Sequence, residues 1–100
     1  IEKKSNLSQQ GNCWVYDDAR VFGSARVSDY AEVYGSARVY GAAKVYDSAR
    51  VYGNAWVSGR ARVFDNACVY GSAMVYDNAK VYDDARVYGA AMVSGYAIIN

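Results

Sequence analysis

A series of tyrosines recurs at intervals of eighteen residues along this chain of 100 residues. The series consists of Tyr16, Tyr34, Tyr52, Tyr70 and Tyr88. If residues eighteen apart lie above one another, these rings form one exposed wall. Rings with free faces could bind sugars or unpaired nucleic-acid bases by stacking. Rings that stack on one another would instead stiffen the surface, and this second interpretation is the one we favour.

Charged side chains follow the same interval in two neighbouring columns. The basic column contains Arg26, Lys44, Arg62 and Lys80, and an aspartate follows each of them by three residues, at Asp29, Asp47, Asp65 and Asp83. A row of bases alone could track phosphates, but the adjacent carboxylates should cancel its field. We therefore predict a solvated lattice of ion pairs and no nucleic-acid partner. Stacked carboxylates could hold Ca²⁺. Aspartate, however, alternates with glycine at equivalent positions, which indicates corner geometry, so no metal site is predicted.

A third column changes character along the chain. It runs Arg20, Arg38, Trp56, Met74 and Met92, from charged to large apolar side chains. Tryptophan and methionine are enriched at protein interfaces. We therefore predict an interface formed by Trp56, Met74 and Met92 together with Ile98, through which the C-terminal half binds a second copy or another protein. The alternative is a tolerated stripe of exposed apolar residues.

The composition offers little for catalysis. The chain contains no histidine, which would be the natural base for an acceptor hydroxyl or amine, so no catalytic residue and no cofactor are predicted. Two cysteines, Cys13 and Cys68, are too few for a disulfide scaffold. The formal charge of +1 and the absence of a long apolar window predict no membrane partner, and no signal peptide is visible.

The elements that must position these columns repeat every six residues. Valine or isoleucine stands at every sixth position from Val15 to Ile99, and alanine stands two residues before each next valine from Ala19 onward. Because alternate residues of a strand share one face, alanine and valine point to the same side. The remaining two positions hold glycine or aspartate and then mostly a small polar residue, which is the chemistry of a corner. The pattern predicts a strand and a corner in every repeat.

Two architectures could use this repeat. Hairpin corners would make a meander of about fifteen very short strands whose apolar face nothing covers. Corners that each turn by a third of a circle close a triangular coil of three repeats, whose alanines and valines cover one another. We therefore predict an all-β, single-stranded, triangular parallel β-helix, or β-solenoid, of about five 18-residue coils. Residues 13–100 form this solenoid, and residues 1–12 form a degenerate segment that caps its first coil.

The repeat resembles that of the hexapeptide-repeat left-handed parallel β-helix. The phrases VYGNA and VYDNA and the opening IEKKSNLSQQGNCWVY are similar to bacterial and phage β-solenoid repeat proteins that are often labelled transferases. The resemblance implies a left-handed coil and, as an alternative to the cytoplasmic location that the two cysteines favour, a phage-associated one. In the acyltransferases of this fold it implies a catalytic histidine between subunits and a protruding loop, and this chain has neither. An alternative is therefore that the chain is the scaffold of an acyltransferase-like assembly whose histidine lies elsewhere.

The last residues, 97–100, stop partway through a coil. An uncovered coil exposes unpaired backbone groups, so we expect an open edge next to the apolar column. This expectation also favours a homo-oligomer, joined either end to end or side by side.

Overall fold

The computed structural model describes residues 7–11, 14–15 and 18–100. Within these residues the chain forms short strands joined by turns and contains no helix. The strands are β1 (Leu7–Gly11), β2 (Trp14–Val15), β3 (Arg20–Val21), β4 (Arg26–Asp29), β5 (Glu32–Val33), β6 (Arg38–Val39), β7 (Lys44–Val45), β8 (Arg50–Val51), β9 (Trp56–Val57), β10 (Arg62–Val63), β11 (Cys68–Val69), β12 (Met74–Val75), β13 (Lys80–Val81), β14 (Arg86–Val87), β15 (Met92–Val93) and β16 (Ile98–Ile99).

The strands form three parallel sheets, and every third strand along the chain belongs to the same sheet. Sheet A has the order β1-β4-β7-β10-β13-β16, sheet B the order β2-β5-β8-β11-β14, and sheet C the order β3-β6-β9-β12-β15. Partners in register are eighteen residues apart, as for Val45 and Val63 or Val39 and Val57. Each coil of eighteen residues therefore adds one strand to each side of a triangle. The predicted triangular β-solenoid is confirmed.

The first strand joins sheet A with a shifted register. Leu7 pairs with Val27 and Gly11 with Asp29, so the separation changes from twenty to eighteen residues within β1. Only residues 7–11 of the predicted capping segment 1–12 are described, and they lie against the first full coil as an additional strand. The rest of that segment lies outside the described residues.

The core is a narrow column of alanine and valine inside the triangle. Every alanine and valine at an inward position from Ala25 to Val81 has no exposed surface. These side chains stack directly on their equivalents one coil away, about 4.8 Å along the axis. Ala91 is exposed, because no further coil covers it within the 100 residues. The six-residue pattern thus predicts the interior correctly. The inward residues of the last coil are less completely buried than those of the middle coils.

Backbone hydrogen bonds connect each coil to the next and close each corner. The N–H of Tyr34 donates to the carbonyl of Val51 at 3.0 Å, and within the corner the N–H of Ala49 donates to the carbonyl of Tyr46 at 3.3 Å. The first corner residue has a positive φ of 58–70° wherever it is glycine or aspartate in the described coils. Glycine adopts this left-handed conformation freely, and aspartate does so more readily than most residues. None of the described residues belongs to a helix that could cross a membrane.

Candidate functional site

The tyrosine column on sheet B is a ladder of rings that stack on one another. The ring centroids of Tyr34 and Tyr52 are 4.9 Å apart, those of Tyr52 and Tyr70 are 5.0 Å apart, and those of Tyr70 and Tyr88 are 5.4 Å apart. The planes within each pair differ by 2–12°. Tyr16, the remaining predicted member, lies outside the described residues. Because each inner ring covers its neighbour, the ladder presents ring edges to solvent and leaves no room for a further ring between its rungs.

Two further aromatic columns accompany it on the other sheets. On sheet A, Phe64 stacks on Tyr46 at 5.0 Å and on Tyr82 at 5.1 Å. On sheet C, Phe22 stacks on Tyr40 at 5.1 Å. Our sequence analysis singled out only the column on sheet B. These additional rings occupy the same position of the six-residue repeat, directly after the inward valine, so their spacing of eighteen residues was the signal that could have identified them.

Two tyrosines of the aromatic columns, one on sheet A and one on sheet B, have raised phenol pKa values. Burial raises the pKa of Tyr46 above its ordinary value of 10.0, and the positive charge of Arg62 opposes this shift. Burial is also the main cause of the raised pKa of Tyr52. Both phenols therefore remain neutral at physiological pH, which suits a packing role and gives neither of them the lowered pKa of a general base.

The predicted lattice of ion pairs is wrong. No ion pair joins the basic column on sheet A to the aspartates of the adjoining corner in the described coils. The aspartates instead accept hydrogen bonds from the backbone one coil further on: the N–H of Asp47 donates to Oδ2 of Asp29 at 3.3 Å, and the N–H of Asp83 donates to Oδ2 of Asp65 at 3.2 Å. The nearby backbone donor binds the carboxylate, and the basic residues of the column are exposed. The ion pair that is present in this part joins Arg50 to Glu32 at 3.7 Å.

The same corner aspartates line an open acidic groove. Its walls are Asp47, Ser48, Asp65, Asn66, Asp83 and Asp84, and its volume is about 630 Å³. Nowhere in residues 7–11, 14–15 and 18–100 do three or more carboxylate, thiol or imidazole groups converge as metal ligands. The groove therefore gives the corner between sheets A and B a negative surface.

The column on sheet C aligns as predicted. Trp56 pairs with Met74, and Met74 pairs with Met92. Trp56 and Met74 are half-buried, whereas Met92 is 67% exposed. The guanidinium carbon of Arg38 lies 5.0 Å from the centre of the Trp56 ring, which is a cation–π contact at the junction of the charged and apolar parts.

Ile98 does not join this column. It lies on sheet A opposite Lys80, and 57% of its surface is exposed. The structure thus brings together three of the four predicted interface residues, on one face, and separates the fourth.

A shallow groove of about 270 Å³ opens beside Trp56. Tyr40, Trp56, Ser58, Met74 and Tyr76 line it. Trp56 meets Tyr40 edge to face, with an angle of 74° between the ring planes and 6.1 Å between their centres. The groove exists because Ser58 occupies the repeat position that holds an aromatic ring in the coils on either side. Our sequence analysis missed this groove.

Cys68 occupies an outward position on sheet B and is half-buried. Cys68 is a free thiol, half-buried between the residues that flank it on sheet B, Arg50 and Arg86. Its thiol lies 3.9 Å from the backbone carbonyl of Asn66 and donates weakly to it. Cys13 lies outside the described residues.

The fold, the register and the repeating core define a β-solenoid repeat protein. The chain matches the YdcK beta-solenoid repeat family over residues 15–29, 43–59, 61–77 and 79–95, about two thirds of its length. It therefore belongs to that family. No curated protein and no solved structure matches the chain.

Proposed function

We propose that this β-solenoid repeat protein is a non-catalytic, rigid scaffold that associates with a second copy of itself through sheet C. The observation that carries this proposal is the column Trp56, Met74 and Met92. It places large, partly exposed apolar side chains on one face, next to the arginines of the same column. Side chains of these types are concentrated at the centres of protein interfaces.

Rigidity is supported by how the coils are connected. Backbone hydrogen bonds of 2.7–3.0 Å repeat from coil to coil along all three sheets. Stacked rings add contacts across the outside of the same coils, and such pairs typically contribute about 0.5–1.5 kcal/mol each beyond the area they bury. We infer that the tyrosine ladder on sheet B acts mainly as this external brace, because its inner rings cover one another. Binding of sugars or bases along it stays an alternative.

A non-catalytic role is supported by the side chains available. The chain has no histidine, and the two described phenols whose pKa values shift are raised, away from use as bases. The described repeats also contain no inserted loop that would shape a pocket over one face. The surface instead presents charged groups and exposed apolar side chains, which suit contacts with another protein.

The test is concentration-dependent light scattering of the purified chain. We expect the mean mass to rise from one chain to several across the micromolar range. Replacing Met74 and Met92 together by lysine puts two charges into the contact and should weaken association by about tenfold or more. Ile98→Lys, at an apolar position that is 57% exposed on sheet A and separate from this column, is the matched control and should leave association unchanged. A single-chain mass at every concentration, or equal effects of both changes, would contradict the proposal.

A further inference from the structure

Ser58 leaves one rung of the aromatic column on sheet C empty. Phe22 and Tyr40 stack at 5.1 Å, as neighbouring rings do on the other sheets. The next position is Ser58, and the one after it is Tyr76. Tyr40 and Tyr76 are therefore two coils apart, roughly 10 Å. This separation leaves space for one additional ring stacked between them. Among the described ladder positions, Tyr76 has no ring stacked on it.

The groove at Ser58 is shallow and suits one ring rather than a whole ligand. We call the groove lined by Tyr40, Trp56, Ser58, Met74 and Tyr76 the ring slot. Trp56 meets Tyr40 edge to face at 74°, so it forms a side wall and does not stack in the empty rung. The slot volume of about 270 Å³ is below that of most sites for complete small ligands, about 300–1,000 Å³. A side-chain ring is the occupant of matching size.

The charged side chains near the ring slot carry a net positive charge. The guanidinium of Arg38 lies over the outer wall, Trp56, at 5.0 Å. Arg60 follows Ser58 by two residues and is exposed at the corner. The nearby carboxylate of Asp77 accepts a hydrogen bond from the N–H of Gly95 at 3.2 Å and balances one of the two charges. The surroundings therefore favour a ring that carries acidic neighbours.

The opposite edge of the same molecule presents such a ring. Tyr30 stands at the corner between sheets A and B and is 62% exposed. Asp29 precedes it, Glu32 follows two residues later, and Asp47 lies one coil further along the same acidic corner. Glu32 shares its charge with Arg50, and the exposed bases Arg26 and Lys44 stand on the strands that precede this corner. The carboxylates are therefore concentrated at the corner itself and not over the whole edge. The corner between sheets A and B lies across the triangle from sheet C, so ring and slot face in opposite directions.

We propose that Tyr30 of one copy inserts into the ring slot of a second copy. The inference rests on the proposed self-association through sheet C and names its central contact. The ring of Tyr30 fills the rung above Ser58 between Tyr40 and Tyr76, while the acidic corner meets Arg38 and Arg60. Because ring and slot lie on opposite sides, the contact is head to tail and does not close into a two-fold dimer. Copies therefore join into rows that lengthen with concentration.

Two single substitutions test the contact from its two sides. Tyr30→Ser removes the ring, and Ser58→Tyr fills the slot from within while extending the stack between Tyr40 and Tyr76. Each change should weaken self-association by about tenfold or more, measured by light scattering or sedimentation. Ser58→Tyr should preserve or raise the melting temperature, because it completes an aromatic column.

The chain contains a matched control for each change. Tyr96→Ser removes a corner tyrosine that is 83% exposed and has one carboxylate close to it, that of Asp77, which accepts a hydrogen bond from the N–H of Gly95. Asn100→Tyr adds a ring at the same repeat position one coil beyond Tyr82 on sheet A, away from the slot and from sheet C. Both control variants should associate as the unmodified chain does. If Tyr96→Ser weakens association as much as Tyr30→Ser does, the effect is common to exposed tyrosines and the assignment of Tyr30 is overturned.

Mixing the two test variants gives the decisive result. The Tyr30→Ser chain keeps an open slot, and the Ser58→Tyr chain keeps the inserting ring. One copy of each can therefore form a single contact, and the resulting pair cannot add further copies. The mixture should show a one-to-one heterodimer, whereas each variant alone is a monomer. This result would also prove that both variants are folded. A mixture that stays monomeric, or variants that assemble as well as the unmodified chain, would overturn the proposal.

The outcomes separate this contact from the broader proposed function. If Met74→Lys with Met92→Lys weakens association while Tyr30→Ser and Ser58→Tyr do not, sheet C is still the contact surface and the ring slot is not its centre. If the unmodified chain remains a single chain at every concentration, both proposals fail together.

Discussion

The backbone N–H of Asp65 donates a hydrogen bond to Oδ2 of Asp47, eighteen residues earlier, with a donor–acceptor distance of 3.3 Å. The same bond joins Gly95 to Asp77 at 3.2 Å on another corner. These aspartates have a φ of 58–59°, a conformation that costs most side chains more than glycine. The carboxylate offsets this cost by accepting a backbone donor of the next coil. Aspartate is therefore a structural alternative to glycine at these corners.

The aspartate ladder can be tested at Asp65, which lies between two other aspartates of its column. Asp65→Ala keeps the strained backbone but removes the acceptor for Asp83, and should lower the free energy of unfolding by about 1–2 kcal/mol. Asp65→Asn keeps an oxygen acceptor and a residue that tolerates positive φ, so it should change stability by less. Urea unfolding of both variants is the measurement. Equal losses for alanine and asparagine would show that the hydrogen bond contributes nothing.

Glycine corners should respond according to what lies in the next coil. A Cβ at Gly53 would meet the backbone nitrogen of Gly71 at 3.0 Å, whereas a Cβ at Gly89 would meet nothing within 4 Å. Both residues have similar φ values, +69° and +65°, so the intrinsic cost of alanine, about 1 kcal/mol, is shared. Gly53→Ala should therefore lower the melting temperature more than Gly89→Ala. The opposite order would mean that the coils move apart at little cost.

The interior should reject larger side chains. Ala49 has no exposed surface, while the neighbouring side chain of Arg50 is 57% exposed. Ala49→Leu has to overpack the narrow triangle and should cost about 1–3 kcal/mol more than Arg50→Leu. Thermal unfolding followed by circular dichroism measures the difference. Equal melting temperatures would contradict the packing of alanine inside the coil.

Alkaline pH should destabilise the fold through Tyr46 and Tyr52. Their phenols have raised pKa values in the folded chain, so the unfolded chain releases these protons first. The stability they contribute is complete below pH 10.0 and is lost as the pH rises through the folded pKa values. Tyr46→Phe keeps the stacked ring and removes the ionising group, so its free energy of unfolding should fall less steeply above that pH. Parallel curves for the variant and the unmodified chain would contradict this assignment.

The positions of side chains on the sheets could be predicted, but their partners often could not. The alignment of Trp56, Met74 and Met92 was predictable, because eighteen residues make one coil whatever the side chains are. The ion pairs expected at Asp47 and Asp65 were wrong, since the nearest donor turned out to be the backbone of the next coil. The sequence alone does not show whether a corner carboxylate binds a backbone N–H or a basic side chain, because that depends on the distance between coils.

The ring slot also combines a feature that could be predicted from the sequence with one that could not. Ser58 could be recognised as an exception within its column, but an exception becomes a cavity only when rings stand above and below it. That arrangement depends on ring orientation, and the edge-to-face contact of Trp56 with Tyr40 is a property of the packed coils.

The sequence by itself determined the triangular coil, its inward alanines and valines and the columns on its three faces. Strand alternation and the six-residue period are local, so they need no knowledge of distant residues. Only the tertiary structure decided that the rings cover one another, that the corner carboxylates bind backbone N–H groups and that Ser58 opens a slot. Each of these depends on atoms of adjacent coils about 4.8 Å apart, where hydrogen bonds and ring contacts are sensitive to small differences in direction.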